Sequence, residues 1–280
     1  MASAGLRAYL ELTRPINSLA AGILTFIGGF VAGGVGSHPV PLAAAVAATW
    51  LATGAGNAIN DYFDRDIDAI NNPERPIPRG AIPATHALWF SLALFGAAIA
   101  LALTLPVLAI LIAAVNLAGL VAYTEFFKGT PGAGNALVAY LGGSTFLFGA
   151  AAVDHIFAGA VLFVLAALST FSREVIKDLE DIKGDRSEGL QTLPVAIGER
   201  SALRVGAAVL LVAVIASPVP YLTGLFGLPY LAIVVPADIL MLAASWRSFA
   251  DPATGQQWLK YGMFLAAAAF VVGRASLLVA

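Results

Sequence analysis

Apolar runs of roughly twenty residues, the length that crosses a hydrocarbon core, recur along almost the whole chain. They can be laid out at about 16–35, 40–58, 86–104, 106–124, 133–152, 155–175, 202–218, 222–245 and 258–278. Only 11% of the 280 residues are charged, where soluble domains carry about a quarter, and the mean hydropathy is +0.86. The expected fold is therefore all-α: a polytopic membrane protein with nine transmembrane helices around a central cavity, forming a single domain over residues 1–280. Met1 to Asn17 carries Arg7, Glu11 and Arg14 with no small-residue cleavage site before the first run. It reads as an amphipathic lead-in, so the first helix is expected to remain in the mature protein. Cysteine is absent, which removes disulfides, thiolate metal sites and cysteine nucleophiles together.

Charge supports the same layout. With nine spans and the N-terminus on the cytoplasmic side, every lysine and arginine except Arg274 falls on or near that side, as the positive-inside rule requires. The C-terminus is then extracytoplasmic. Two longer separators, at about 59–85 and 176–201, both land on the cytoplasmic face, and each follows an even-numbered helix. The chain thus repeats one plan weakly: a helix pair, then a carboxylate-rich loop.

Those loops hold the residues that set this chain apart. Asn60, Asp61, Asp64 and Asp68 form the first cluster, with Asn60, Asp64 and Asp68 at spacing four, so that on one helix they would share a broad stripe. Asp178, Asp181 and Asp185 form the second, with Arg173 and Lys177 stepping down the same helix. Like charges at such spacing repel, and carboxylates at a membrane face are costly. Divalent cations relieve both, and Mg²⁺ in particular is held by one or two carboxylates with substrate phosphates completing its shell. Arg65, Arg75 and Arg79 follow the first cluster. Lys183 and Arg186 lie in the second, and Lys128 follows the fourth run, so that both clusters offer the cations a diphosphate needs. The bland alternative is a solvated loop in which acids and bases simply pair; finding two clusters on one face argues against it.

These residues resemble the UbiA family of intramembrane prenyltransferases. The family's first acidic motif, Asn-Asp-x-x-Asp-x-x-x-Asp, is met by Asn60, Asp61, Asp64 and Asp68; its second is met by Asp178, Asp181 and Asp185. Lys177 matches the family's basic step, and Tyr123 and Lys128 match the tyrosine and lysine after helix 4. The segments Glu11-Leu12-Thr13-Arg14-Pro15-Ile16-Asn17-Ser18, Arg75-Pro76-Ile77-Pro78 and Arg173-Glu174-Val175-Ile176-Lys177-Asp178 look most like the archaeal branch that makes digeranylgeranylglyceryl phosphate. The resemblance implies Mg²⁺-dependent transfer of a geranylgeranyl group from its diphosphate to the hydroxyl of geranylgeranylglyceryl phosphate. It implies Asp61, Asp64, Asp68, Asp178, Asp181 and Asp185 as metal-holding catalytic residues. Asn60, Tyr123, Lys128 and Lys177 are the substrate-binding residues it implies; Arg65, Arg79, Arg173 and Arg14 are added from their charge beside the clusters, with Arg14, Arg173 and Lys183 as candidates for a lipid phosphate. The expected partners are an isoprenyl diphosphate, a lipid phosphate and membrane lipids, with no nucleic acid and no obligate protein partner.

Aromatic residues such as Phe26, Phe30, Trp50, Tyr140, Phe146 and Phe148 are candidates for lining the tail tunnel. The alternatives are an aromatic-acceptor prenyltransferase of quinone biosynthesis, a metal-dependent lipid phosphotransferase, which generally needs one cluster only, and a transporter, which would place its site near the bilayer midplane. Asp238 is the only ionisable residue well inside an expected run, and a hydrogen bond to a neighbouring helix would account for it.

Overall fold

The computed structural model describes residues 2–279, and the regular structure among them is helical. In order, the helices are α1 Ala2–Leu12, α2 Pro15–Val31, α3 Gly34–Ser37, α4 Pro39–Phe63, α5 Arg65–Asn71, α6 Ala84–Ala102, α7 Val107–Ala122, α8 Ala133–Ala151, α9 Ile156–Glu180, α10 Ile182–Ser187, α11 Leu193–Ile197, α12 Glu199–Ala216, α13 Val219–Leu222, α14 Pro229–Arg247 and α15 Pro252–Val279. A π-helical turn, Tyr123–Phe127, follows α7.

Among the described residues, six helical segments are long and apolar enough to cross a membrane: Pro39–Phe63, Ala84–Ala102, Ile156–Glu180, Glu199–Leu222, Pro229–Arg247 and Pro252–Val279. The number rises to seven if Gly5–Leu12 and Pro15–Val31, bent by 50°, form one span. The expected count of nine transmembrane helices is therefore corrected. The run at 106–124 yields only the 16-residue α7, because Pro106 stands before its first turn and the π-helical turn takes over at Tyr123. The run at 133–152 yields α8, but Asn135, Gly142, Gly143, Ser144 and Thr145 dilute its apolar character. Its buried residues include Gly134, Asn135, Gly143, Ser144 and Gly149, so α8 is packed among other helices.

The bend between α1 and α2 has a local cause. A residue before proline is disfavoured in the right-handed helical region, and Arg14, before Pro15, takes a left-handed conformation at φ 45°. The Thr13 carbonyl beside the break accepts from Ser18 Oγ at 2.7 Å and from Asn57 Nδ2 at 3.0 Å. Buried Asn57 thus ties the corner to α4.

Helix α2 meets α8 through glycines. A β-carbon on Gly28 would overlap the Phe146 carbonyl, and one on Gly149 would overlap the Thr25 carbonyl, so the two backbones pass with no side chain between them. Near that end of the bundle, Ala45 and Ala48 of α4 pack with Phe148 and Ala151 of α8. The C-terminus of α4, with its acids, and the N-terminus of α8 consequently share the other end. Elsewhere α14 packs on α15, α9 on α12, and α4 on α6. Buried Asp238 accepts from Ser217 Oγ at 2.5 Å, joining α14 to the end of α12 as a hydrogen bond between neighbouring helices.

Candidate active site

The two acidic clusters are built alike. Helices α4 and α9 each run 25 residues and stop one residue short of the middle aspartate of their cluster, Asp64 in one case and Asp181 in the other. Both aspartates adopt nearly the same backbone, φ −85° with ψ 4° and φ −87° with ψ 0°, and each precedes a short helix, α5 or α10. The two most enclosed acids of each cluster stand seven residues apart, two helical turns, and so lie on one face. These are Asp61 with Asp68 and Asp178 with Asp185. The stripe of Asn60, Asp64 and Asp68 expected on one continuous helix does not form.

In the first cluster Asp61 and Asp68 are almost fully buried. Arg14 donates to Asp61 Oδ1 at 2.7 Å, and Arg75 reaches Asp61 Oδ1 at 3.4 Å while donating to Asp68 Oδ2. Asn72 Nδ2 adds a bond to Asp68 Oδ1 at 3.1 Å. Arg65 and Arg79 point elsewhere. Arg65 donates to the Tyr62 carbonyl at 2.9 Å and lies over the Tyr62 ring, and Arg79 pairs with Glu11 and donates to the Glu74 carbonyl at 2.6 Å. Asp64 makes no side-chain hydrogen bond or ion pair among the described residues, and Asn60 is exposed at the mouth of the cavity described below.

In the second cluster Asn135 Nδ2 donates to Asp178 Oδ2 at 2.7 Å, and Thr192 Oγ1 donates to Asp185 Oδ2 at 3.0 Å. Lys177 pairs with the more exposed Asp181 at 3.2 Å, and Arg173 is turned to Glu174 at 2.7 Å. Tyr123, Lys128, Asn135, Lys177, Asp178 and Asp185 line one polar hollow. Burial, followed by the charge of Glu174, pushes the Tyr123 phenol above its usual range, so the hydroxyl is a neutral donor at any working pH.

Sequence reasoning named Arg75 only as a flanking base and missed Asn135 and Thr192. The available signal was spacing: Arg75 stands seven residues after Asp68, and Thr192 seven after Asp185. Asn135 precedes Asp178 by 43 residues and Arg14 precedes Asp61 by 47.

A cavity of about 300 Å³ leads away from the first cluster between α4, α6, α7 and α8. It starts at Asn57 and Asn60 and continues past Thr53, Phe95, Ile99 and Phe148. Of the aromatic candidates, Phe148 lines it, Phe146 lines a separate hollow beside α9 and α15, and Phe26 and Trp50 line a groove between α2 and α4.

Among the described residues no three acidic or histidine side chains converge closely enough to hold a metal ion unaided. The donors are oxygens, Asp61 with Asp68 in one cluster and Asp178, Asp181 and Asp185 around the polar hollow of the other. That set fits Mg²⁺, which retains waters and takes phosphate oxygens to complete its shell; it lacks the nitrogen and sulfur ligands of a structural zinc site. Arg75 bridges two buried carboxylates and is the ion-pair partner of Asp68 among the described residues, so removing it leaves an uncompensated buried charge. Arg75→Ala is therefore expected to cost roughly 3–5 kcal/mol, read as a lower midpoint in chemical unfolding in detergent, whereas Arg79→Ala should be nearly silent.

The UbiA prenyltransferase family model matches residues 21–268. The chain is 64% identical over 269 residues to the digeranylgeranylglyceryl phosphate synthase of Natronomonas pharaonis, covering 96% of this chain and 97% of that one. It is 63% identical to that of Halobacterium salinarum, with the same coverage. A solved structure of a digeranylgeranylglyceryl phosphate synthase superposes with a TM-score of 0.85 at 33% identity, covering 96% of this chain and 98% of that one. A UbiA homolog from Archaeoglobus fulgidus, solved bound to GPP and Mg²⁺, shares the fold at a TM-score of 0.70 and 19% identity, with 96% and 98% covered.

Proposed function

Because the chain belongs to the UbiA prenyltransferase family, we propose that it transfers a geranylgeranyl group from geranylgeranyl diphosphate to the hydroxyl of geranylgeranylglyceryl phosphate. The products are digeranylgeranylglyceryl phosphate and diphosphate, and the cofactor is Mg²⁺. The observation that carries this reading is identity above 60% over nearly the full length of synthases of that name.

In this reading the carboxylates of Asp61, Asp64 and Asp68, and those of Asp178, Asp181 and Asp185, would hold Mg²⁺. When bound, Mg²⁺ supplies charge that stabilises the departing diphosphate. Lys128, Lys177 and the Tyr123 hydroxyl donate to the same oxygens, and Arg14 and Arg75 add guanidinium donors where negative charge grows. Asn60 sits where the polar head meets the cavity, and the apolar walls beyond it take the isoprenoid tail and exclude water. The allylic C–O bond breaks with its electron pair going to the diphosphate. The acceptor oxygen bonds to the same carbon, and its proton passes to a diphosphate oxygen. Arg173 and Lys183 are left for the acceptor's phosphate, and Arg65 and Arg79, turned away from both clusters, act in support of the loop.

The protein is a multi-pass membrane protein, and we place its N-terminus and both acidic clusters on the cytoplasmic side with the C-terminus opposite. The basic residues crowd around the clusters, while Arg274 lies beside Gly33 at the far end of α2, and the positive-inside rule fixes the sense.

The test is incubation of the protein in lipid with Mg²⁺ and geranylgeranyl diphosphate, offering geranylgeranylglyceryl phosphate or 4-hydroxybenzoate, with products identified by mass spectrometry. The ether is expected with the first acceptor and nothing with the second. Product from the aromatic acceptor alone would move the enzyme to quinone chemistry.

A further inference from the structure

The bundle contains one plan twice, and its two copies treat their carboxylates differently. Helices α2, α4 and α5 carry the first cluster as α8, α9 and α10 carry the second. At the start of α2, Arg14 donates to Asp61; at the start of α8, Asn135 donates to Asp178. Seven residues after Asp68, Arg75 donates to it; seven after Asp185, Thr192 does the same. Corresponding places thus hold two guanidiniums in one copy and two neutral donors in the other.

The electrostatic consequence is unequal. Arg14 and Arg75 offset the charges of Asp61 and Asp68 one for one. In the second copy the neighbouring cations are engaged with other acids, Lys177 with Asp181 and Arg173 with Glu174, and Lys128 lines the hollow with no ion pair among the described residues. Among the described residues no cation pairs with Asp178 or Asp185, and the second oxygen of each takes no protein donor. A hydrogen bond to one oxygen fixes how a carboxylate is turned, and such outer partners orient ligands toward a metal.

We propose that Asn135 and Thr192 are positioning residues that hold Asp178 and Asp185 turned toward the hollow, so that the second cluster, with waters completing the shell, takes up a divalent cation in the absence of diphosphate. The first cluster does so only together with a diphosphate, whose oxygens draw Arg14 and Arg75 off Asp61 and Asp68. This inference rests on the metal–diphosphate reading above.

Mn²⁺ serves as the probe, since the spin-resonance signal of the free ion falls as it binds. The purified chain is titrated in detergent without and with inorganic diphosphate. Without diphosphate the wild type should show one class of site, lost in Asp178→Asn and unchanged in Asp61→Asn; diphosphate should add a second. Asn135→Leu and Thr192→Val should each weaken the first class by about ten- to a hundredfold, and Thr192→Val carries the test if Asn135→Leu fails to fold. Arg75→Gln should let the first cluster bind without diphosphate. Wild-type affinity in both positioning variants, loss of diphosphate-free binding in Asp61→Asn, or binding only with diphosphate would each overturn this inference alone. No Mn²⁺ bound under either condition would overturn the metal reading and this inference with it.

Discussion

Asp68→Ala and Asp178→Ala are each expected to remove turnover almost completely, with kcat falling by at least the roughly 10²- to 10³-fold that follows loss of one group stabilising developing charge. One variant comes from each cluster, so comparable losses require both to act on the same diphosphate. The measurement is ether formation under saturating Mg²⁺ and both substrates, alongside a thermal unfolding curve for each variant. Asp68→Ala has a second effect that Asp178→Ala lacks: it frees Arg75, which then falls wholly to Asp61. Asp68→Ala should therefore unfold close to wild type while being inactive. An Asp68→Ala or Asp178→Ala enzyme with ordinary Mg²⁺-dependent turnover would remove that cluster from the mechanism. As a control, Asp66→Ala should change little, because Asp66 is exposed and only its distant contact with Arg65, at 3.8 Å, is lost.

Gly149→Val should be as damaging to the fold as those changes are to the chemistry. The first added carbon would meet the Thr25 carbonyl, which belongs to backbone and cannot swing aside as a side chain end could. Overpacking ordinarily costs about 1–3 kcal/mol and more when nothing can yield, against a total stability of roughly 5–15 kcal/mol. The variant is expected to fail to accumulate in the membrane or to unfold at a markedly lower temperature than wild type. Gly96→Ala, where an added β-carbon meets nothing within 4 Å, should be neutral in the same assay and separates the clash from helix propensity.

How much of this was legible in the residues differs from feature to feature. The acids were legible because charge is scarce in this chain and its spacing is unusual, and the resemblance to a prenyltransferase family followed from the same positions. Which acids turn inward was not. Spacings of four and of seven both lie on one helix face, so spacing alone did not choose Asp61 with Asp68 over Asn60, Asp64 and Asp68; burial among the neighbouring helices did. The sequence reading assigns Arg79 to the substrate and leaves Arg75 as a flanking base, whereas the turn through Pro76 and Pro78 sends Arg79 to Glu11 and Arg75 to Asp68. Asn135 carries no charge and lies in an apolar run, so nothing local marked it. The span count failed for a related reason: α8 is surrounded by protein and can afford Gly, Ser and Asn where a lipid-facing helix cannot.

The ion pairs around the clusters also divide by how they respond to the surrounding electrolyte. At about 1 M salt the screening length shrinks to roughly 3 Å, and pairs standing in water, such as Arg186 with Glu199 at 57% and 56% exposure, lose their attraction. Asp61 and Asp68, with side chains 4% and 5% exposed, lie beyond the reach of such an ionic atmosphere. Brine would loosen the rim of this protein and leave the charge balance of its first acid pair as it stands in dilute buffer.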